Sequence, residues 1–279
     1  MIQQLECAGK ILDLSTPRVM GILNVTPDSF SDGGQFAVTE SAIEQTSRML
    51  DEGATIIDVG GESTRPGADD VPVNEELDRV IPVIEKISSE FDTIISIDSS
   101  KPEVIAEAVS AGAGLINDVN ALQSDGALKV AAKAGVPVCL MHMQGKPRTM
   151  QDAPSYQHVS NDIIEFLSGR IQACVNAGIK REQLIIDPGF GFGKTLEQNC
   201  QLMRELDTFS KLDCPLLVGV SRKSMIGQIL GAQVSERLLG SVALETLAVW
   251  QGASIIRAHD VREAVDAIKI AAAVKFAGL

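Results

Sequence analysis

The chain has 279 residues, 45% apolar and 22% charged, with 24 Lys and Arg against 37 Asp and Glu. Such a composition builds a sizeable core and excludes wholesale disorder. The net charge of −13, spread along the chain, disfavours nucleic acid as a partner held by phosphate neutralisation. An anion fits only where a few basic side chains are focused in one cleft.

Residues 1–14 contain two short alternating stretches, 4–6 and 10–14, which predict a small hairpin closing the bottom of whatever follows. The first ten residues are polar and lack the apolar core of a signal peptide. Apolar runs break well before the roughly 18 residues of a membrane span, so no membrane partner is expected. The five cysteines, Cys7, Cys139, Cys174, Cys200 and Cys214, are scattered without a CxxC. That spacing suggests neither a disulfide framework nor a zinc knuckle, and the expected setting is a reducing cytoplasm.

From residue 19 onward, short Ile/Val/Leu-rich runs alternate with helical patterns. Strands are predicted at 19–24, 56–60, 94–98, 115–118, 138–141, 184–187, 216–219 and 254–257. Most are apolar on both faces, as in parallel strands covered by helices. Ser100, Pro102 and Glu103 read as cap, first-turn proline and acid of a helix. In 155–177, Ile163, Ile164, Leu167, Ile171 and Val175 recur at helical spacing, and in 235–250 Leu239, Val242, Ala243, Thr246 and Trp250 do the same. The last helix carries Val261, Ala264, Val265, Ile268 and Ala272 behind a capping-box-like Asp260-x-x-Glu263. Eight strand–helix units predict an α/β fold, a (β/α)8 TIM barrel in one domain over 1–279, with 1–14 as an N-terminal extension. A doubly wound sheet is the alternative, but no GxGxxG turn follows the first strand. Three segments, at 53–58, 112–117 and 252–257, share a Gly-Ala turn, a strand and a polar residue five positions after the glycine.

Polar residues gather at the predicted strand ends: Asn24, Asp58, Asp98, Asn117 with Asp118, Asp187, Lys223 just past 216–219, and Arg257 with His259. In a barrel these ends converge on one face and form one polar pocket. Asp58, Asp98 and Asp187 suit a ligand rich in N–H groups, such as a guanidine-like edge, and Asn117 suits a heterocycle of mixed donors and acceptors. Arg257 and His259, with Asn24 and Arg65, suit a phosphate. The three histidines do not make a zinc site; Mg2+, held by oxygen and substrate phosphate, is the expected cofactor. Two long loops, 26–37 and 62–74, offer Phe30, Thr64, Arg65 and Pro66 for ligand contact. The string PGFGFGK at 188–194 looks like part of a phosphate-binding loop, but only four residues separate Gly189 from Lys194, which excludes the nucleoside-triphosphate motif.

Four segments together resemble the dihydropteroate synthase family: MGILNVTPDSFSDGG at 20–34, DVGGESTRPGA at 58–68, IDPGFGFGK at 186–194 and GVSRKSMIG at 219–227. Asp98, Asn117-Asp118 and the ending Arg257-Ala-His259-Asp complete the match. The resemblance implies a TIM-barrel transferase, homodimeric, with Mg2+. It implies condensation of 6-hydroxymethyl-7,8-dihydropterin diphosphate with 4-aminobenzoate, and a target of sulfonamides. It assigns the pterin to Asp98, Asn117, Asp187 and Lys223, with Asp58 and Met141 close by, and Mg2+ to Asn24. It assigns the diphosphate to Arg65, Arg257 and His259, with Asn24. Aminobenzoate falls to Thr64, Pro66, Phe192, Ser224 and Phe30, and the two loops are expected to order over bound diphosphate. Two other readings share the pocket: a methyltetrahydrofolate-binding methyltransferase domain and a pterin-binding scaffold without turnover. The first does not explain Ser63–Pro66 together with Arg257 and His259, and the second is expected to show a damaged Asp98, Lys223 or Arg65, all of which are intact.

Overall fold

The computed structural model of the chain describes residues 3–26, 34–63, 70–145 and 149–275. Strands β1 (Gln4–Cys7) and β2 (Lys10–Asp13) pair antiparallel as the expected hairpin. Eight parallel strands follow, each leading into helix. They run β3 (Arg18–Asn24), α1 (Gly34–Asp51), β4 (Ile56–Gly60), α2 (Val73–Glu90), β5 (Ile94–Asp98), α3 (Pro102–Ser110), β6 (Leu115–Asp118) and α4 (Ala127–Ala134). The second half continues with β7 (Val138–Met141), α5 (Val159–Asn176), β8 (Leu184–Asp187), α6 (Leu196–Arg204), β9 (Leu217–Val218), α7 (Ser224–Leu230), α8 (Leu238–Trp250), β10 (Ile255–Ala258) and α9 (Val261–Lys275). The sheet order β8-β7-β6-β5-β4-β3-β10-β9 is closed by a parallel bridge from Ile186 to Leu216. This is a (β/α)8 barrel.

Period-two alternation sorts each strand into a layer facing the helices and a layer facing the barrel interior. One interior residue from every parallel strand joins a single floor cluster: Met20, Ile56, Ile94, Leu115, Cys139, Ile185, Leu217 and Ile255. Leu5, Cys7, Leu12 and Leu14 of the hairpin complete that cluster from below. The hairpin is therefore the apolar plug of the barrel bottom. It is seated closely: a Cβ on Gly114 would come within 2.9 Å of the Cys7 backbone.

The repeated Gly-Ala turns share one hydrogen-bond pattern. Gly53, Gly112 and Gly252 have φ of +103°, +121° and +107°. Each donates to the carbonyl three residues back, and the following alanine donates to the carbonyl five residues before it, as in Ala54 to Met49, Ala113 to Ala108 and Ala253 to Ala248. This is the Schellman end of a helix, in which glycine accepts the left-handed backbone.

Three local expectations are corrected. The cap of α3 is Lys101, not Ser100; Ser99 Oγ accepts the Lys101 N–H at 3.2 Å, while Pro102 opens the helix as expected. The Asp260 carboxylate, expected to cap α9, takes Arg222 through both oxygens. The apolar stripe of α8 faces outward: Leu239 is 81% exposed and Trp250 51%, while Ser241, Glu245, Ala248 and Val249 are buried. Periodicity marks a stripe but not which side the barrel occupies.

Candidate active site

Two residues beyond the floor, the interior layer changes from apolar to polar. It consists of Ile22, Asp58, Ser96, Asn117, Met141, Asp187, Gly219 and Arg257, one from each strand or its end. Asn24 and Asp98 stand one layer higher, at the ends of β3 and β5. Asp58 therefore lies inside its strand rather than at the end, a layer below Asp98. Asp118 turns to the other face and leaves the pocket. Its oxygens accept the backbone N–H groups of Asn120 and Leu122 at 2.7 and 2.8 Å, a turn role.

Arg257 organises the polar layer. Its Nε donates to Asp58 Oδ2 at 2.6 Å and its Nη2 to Asp98 Oδ2 at 2.7 Å. Asn117 Nδ2 donates to the same Asp58 oxygen at 3.0 Å. Burial opposes the Arg257 charge, but Asp58 and Asp98 outweigh it and raise its pKa. Asp98 is pushed up to about 7, by burial first, with Arg257 pulling the other way and Asp58 adding repulsion. The other Asp58 oxygen, Oδ1, and Ser96 Oγ are buried without a hydrogen-bond partner.

Across the barrel, Asp187 Oδ1 accepts the Gly189 N–H at 2.7 Å. Burial raises the Asp187 pKa, with Lys223 opposing. Lys223 donates to the Phe190 carbonyl, and its Nζ lies 4.6 Å from the centre of the Phe192 ring, a cation–π contact. Burial brings Lys223 down to about 8, with Asp187 countering. Met141 is buried next to Asp187 in register, and Ser224 is exposed at the start of α7.

The loop after β9 is tied to the loop after β10. Arg222 has φ of +56°, a conformation uncommon outside glycine. Its N–H donates to Ser241 Oγ at 2.9 Å, and its guanidinium forks onto Asp260. This brings Ser221 Oγ within 3.1 Å of both the backbone N and Nδ1 of His259.

The structure thus gathers Asp58, Asp98, Asn117, Met141, Asp187, Lys223, Phe192, Ser224, Arg257 and His259 at one end of the barrel, with Asn24 at the end of β3. Phe30, Thr64, Arg65 and Pro66 lie outside the described residues. Sequence reasoning gave no site role to Ser221 and Arg222 and took Asp260 only as a helix cap, although SRK and HD sit inside the quoted segments. It set Lys194 aside with the rejected phosphate loop and gave His142 no partner, yet the two meet beneath the 189–193 loop with Nζ and Nδ1 3.1 Å apart. His142 showed no pairing in the sequence because its partner is distant in the chain.

Among the described residues no group of three or more His, Cys, Asp or Glu could cage a metal ion. The donor set nearest the expected site is the amide oxygen of Asn24. A hard cation that keeps waters and arrives on substrate phosphates fits such a sparse set.

The sequence profile described as pterin binding enzyme matches residues 20–259. The dihydropteroate synthase of Escherichia coli K12 is 55% identical over 96% of this chain and 95% of its own. The chain belongs to the dihydropteroate synthase family. The Haemophilus influenzae family member is 53% identical over 96% of this chain and 97% of its own. Among solved structures, the Yersinia pestis synthase in complex with a sulfonamide drug is 54% identical, with a TM-score of 0.94 over 98% of this chain and 100% of that one. The Xanthomonas albilineans synthase in complex with 7,8-dihydropteroate is 47% identical, with a TM-score of 0.90 over 98% of this chain and 99% of that one. Family membership makes this chain a transferase enzyme, and the polar layer above the floor is its candidate active site.

Proposed function

We propose that the chain joins 6-hydroxymethyl-7,8-dihydropterin diphosphate to 4-aminobenzoate, giving 7,8-dihydropteroate and diphosphate by a dissociative path. The names of the relatives support the condensation, as do the product bound by the Xanthomonas enzyme and the 4-aminobenzoic acid in a second structure of it. The observation that carries the path is the crowding of Asp58, Asp98 and Asp187 in one pocket against Arg257 and Lys223.

The carboxylates and Asn117 accept the N–H groups of the pterin, and the unpartnered Asp58 Oδ1 supplies one further buried acceptor. Lys223 and Met141 line the same ring. Arg257 spends Nε and Nη2 on Asp58 and Asp98, which leaves Nη1 for a diphosphate oxygen. Arg65, His259 and Asn24 share that diphosphate. Phe30, Thr64, Pro66, Phe192 and Ser224 hold the aminobenzoate.

The C–O bond at the pterin methylene breaks, and its electron pair leaves with the diphosphate. The remaining cation is conjugated with the electron-rich pterin, and the surrounding carboxylates stabilise it electrostatically. The arylamine lone pair then forms the C–N bond, and its proton passes to water. No covalent enzyme intermediate and no strong base is needed. Asn24, with the substrate phosphates, would hold a Mg2+ ion, which would supply charge neutralisation on the leaving group. The enzyme acts as a cytoplasmic homodimer, for which the exposed Leu239, Leu247 and Trp250 of α8 and Ile270 and Val274 of α9 offer an apolar face.

The test is to incubate the protein with the pterin diphosphate, aminobenzoate and Mg2+, and to follow pteroate and diphosphate together. Equal release of both, dependent on protein and metal, is expected. Diphosphate without pteroate in the presence of aminobenzoate, or silence on both, overturns the proposal. Slow diphosphate release when aminobenzoate is withheld is the specific sign of the dissociative path.

A further inference from the structure

We infer that Lys194, with His142, is a positioning pair for the aminobenzoate subsite: together they hold the 189–193 loop in the shape that presents Phe192 and the Phe190 carbonyl to Lys223. The inference rests on the proposed condensation and adds residues that the family resemblance does not assign.

Lys194 ends the PGFGFGK string, yet its side-chain nitrogen points back into that loop. It is 3% exposed. Its Nζ lies 2.8 Å from the Gly189 carbonyl, 3.0 Å from the Phe192 carbonyl and 3.1 Å from His142 Nδ1. Burial holds the Lys194 pKa well below the usual lysine value; two of its N–H groups go to the two carbonyls, and one further proton lies on the line between Nζ and His142 Nδ1. The loop is thus wrapped around Lys194 from the inside.

The alternating glycines make that wrapping possible. Gly189, Gly191 and Gly193 have φ of +70°, +80° and +63°. A Cβ at Gly189 would sit 1.9 Å from the His142 carbonyl oxygen, and one at Gly193 would sit 2.4 Å from that of Gln144. With glycine at alternate positions, the carbonyls of 189 and 192 turn inward to Lys194. The carbonyl of Phe190 and the ring of Phe192 are left facing Lys223. A lysine at 194 thereby sets where another lysine, at 223, places its charge.

His142 is the outer half of the clamp. It is 6% exposed and packs edge-on to Phe166, with ring centres 5.0 Å apart, and at a tilt to Tyr156. Burial, helped by Lys194, brings its pKa down to about 3, so the ring stays neutral. A neutral ring lets one proton occupy the line between Nδ1 and Nζ. Tyr156 extends the same hold by donating from its hydroxyl to the Gly193 carbonyl at 2.7 Å. Asp187 and Lys223, which also face the pterin, meet this loop at Gly189 and Phe190, whereas Asp58, Asp98 and Asn117 are held by one another and Arg257.

The experiment compares His142→Asn, His142→Phe and Lys194→Met with the parent enzyme. Asn keeps a short polar group near the Nδ1 position, whereas Phe keeps the ring packing and deletes the polar atom. Steady-state constants are measured for each substrate, with melting temperatures alongside. His142→Phe is expected to raise the KM for aminobenzoate about tenfold, the scale of one lost hydrogen bond. Its KM for the pterin diphosphate should change by less than about threefold, and His142→Asn should stay near the parent. Lys194→Met should show the same split more strongly among the molecules that fold. A loss of kcat that follows the melting temperature with both KM values unchanged overturns the inference. So does a parallel rise in both KM values, or identical behaviour of His142→Asn and His142→Phe. If the parent itself makes no pteroate, the proposed function fails and not the clamp; loop order is then read from the Phe192 amide exchange rate, which His142→Phe should raise and His142→Asn should not.

Discussion

Asp58 and Arg257 are 199 residues apart in the chain and meet at 2.6 Å across the barrel interior. The Asp58 side chain is fully buried, and the same guanidinium also holds Asp98. One guanidinium thus bridges two carboxyl groups in the barrel interior, where burial without a partner carries a large penalty. The pair joins β4 to β10 and fixes the polar layer directly above the apolar floor.

Removing that cation should harm more than diphosphate binding. Arg257→Ala is expected to destabilise the fold by about 3 kcal/mol, because it strands two buried carboxylates. It should also weaken binding of the dephosphorylated pterin. Adding Asp58→Asn to Arg257→Ala should restore a good part of the lost stability by relieving the like-charge pair. Denaturant melts of the single and double variants check this. A double variant no more stable than Arg257→Ala would mean that Arg257 acts by packing rather than charge.

The same cluster predicts a narrow pH profile. Asp98 is needed ionised and sits at about 7, so kcat/KM should rise with pH through that value. Lys223 is needed protonated and sits at about 8, so the rate should fall as pH passes it. The two groups share one cluster, and the limbs belong to the cluster as a whole. Asp98→Asn should lower kcat on the order of a hundredfold and abolish the acid limb, and Lys223→Met should abolish the basic one. A rate independent of pH from 6 to 9 would exclude both roles.

Much of this site could be read from the sequence, because strand alternation is a local signal. Ile56 to Asp58 and Ile185 to Asp187 each step from floor to pocket within three residues, and the family segments supplied their roles. What escaped was set by long-range packing. The stripe of Leu239 and Trp250 was visible, but its side was not, since Glu245 rather than a leucine occupies the buried face. The Lys194–His142 pair spans 52 residues and depends on left-handed glycines whose conformation no pattern of residue types states.

The barrel floor should separate stability from activity. Leu12 is fully buried in the plug beneath the floor ring, which separates it from the polar layer. Leu12→Ala should cost about 3 kcal/mol through lost burial and the cavity left behind. Among folded molecules its kcat and both KM values should match the parent. Melting and steady-state kinetics on one preparation test this, and a selective rise in either KM would show that the floor shapes the pocket above it.

Glu245 predicts a pH dependence of stability unrelated to catalysis. It is 2% exposed on the inner face of α8, and burial, with Asp260 and Glu263 adding repulsion, raises its pKa to about 8. The folded state thus holds a proton that the unfolded chain releases near its ordinary value of 4.5. The unfolded state binds fewer protons between those two values, so stability falls as pH rises through that window and levels off above about 8. Glu245→Gln keeps the shape of the protonated acid and cannot ionise. Its stability relative to the parent should grow from about pH 5 to pH 8 by on the order of 3 kcal/mol, and then level off. Denaturant titrations at pH 5, 6.5, 8 and 9 read this directly. A difference that is the same at all four values would mean that Glu245 titrates normally and that α8 does not bury an acid at all.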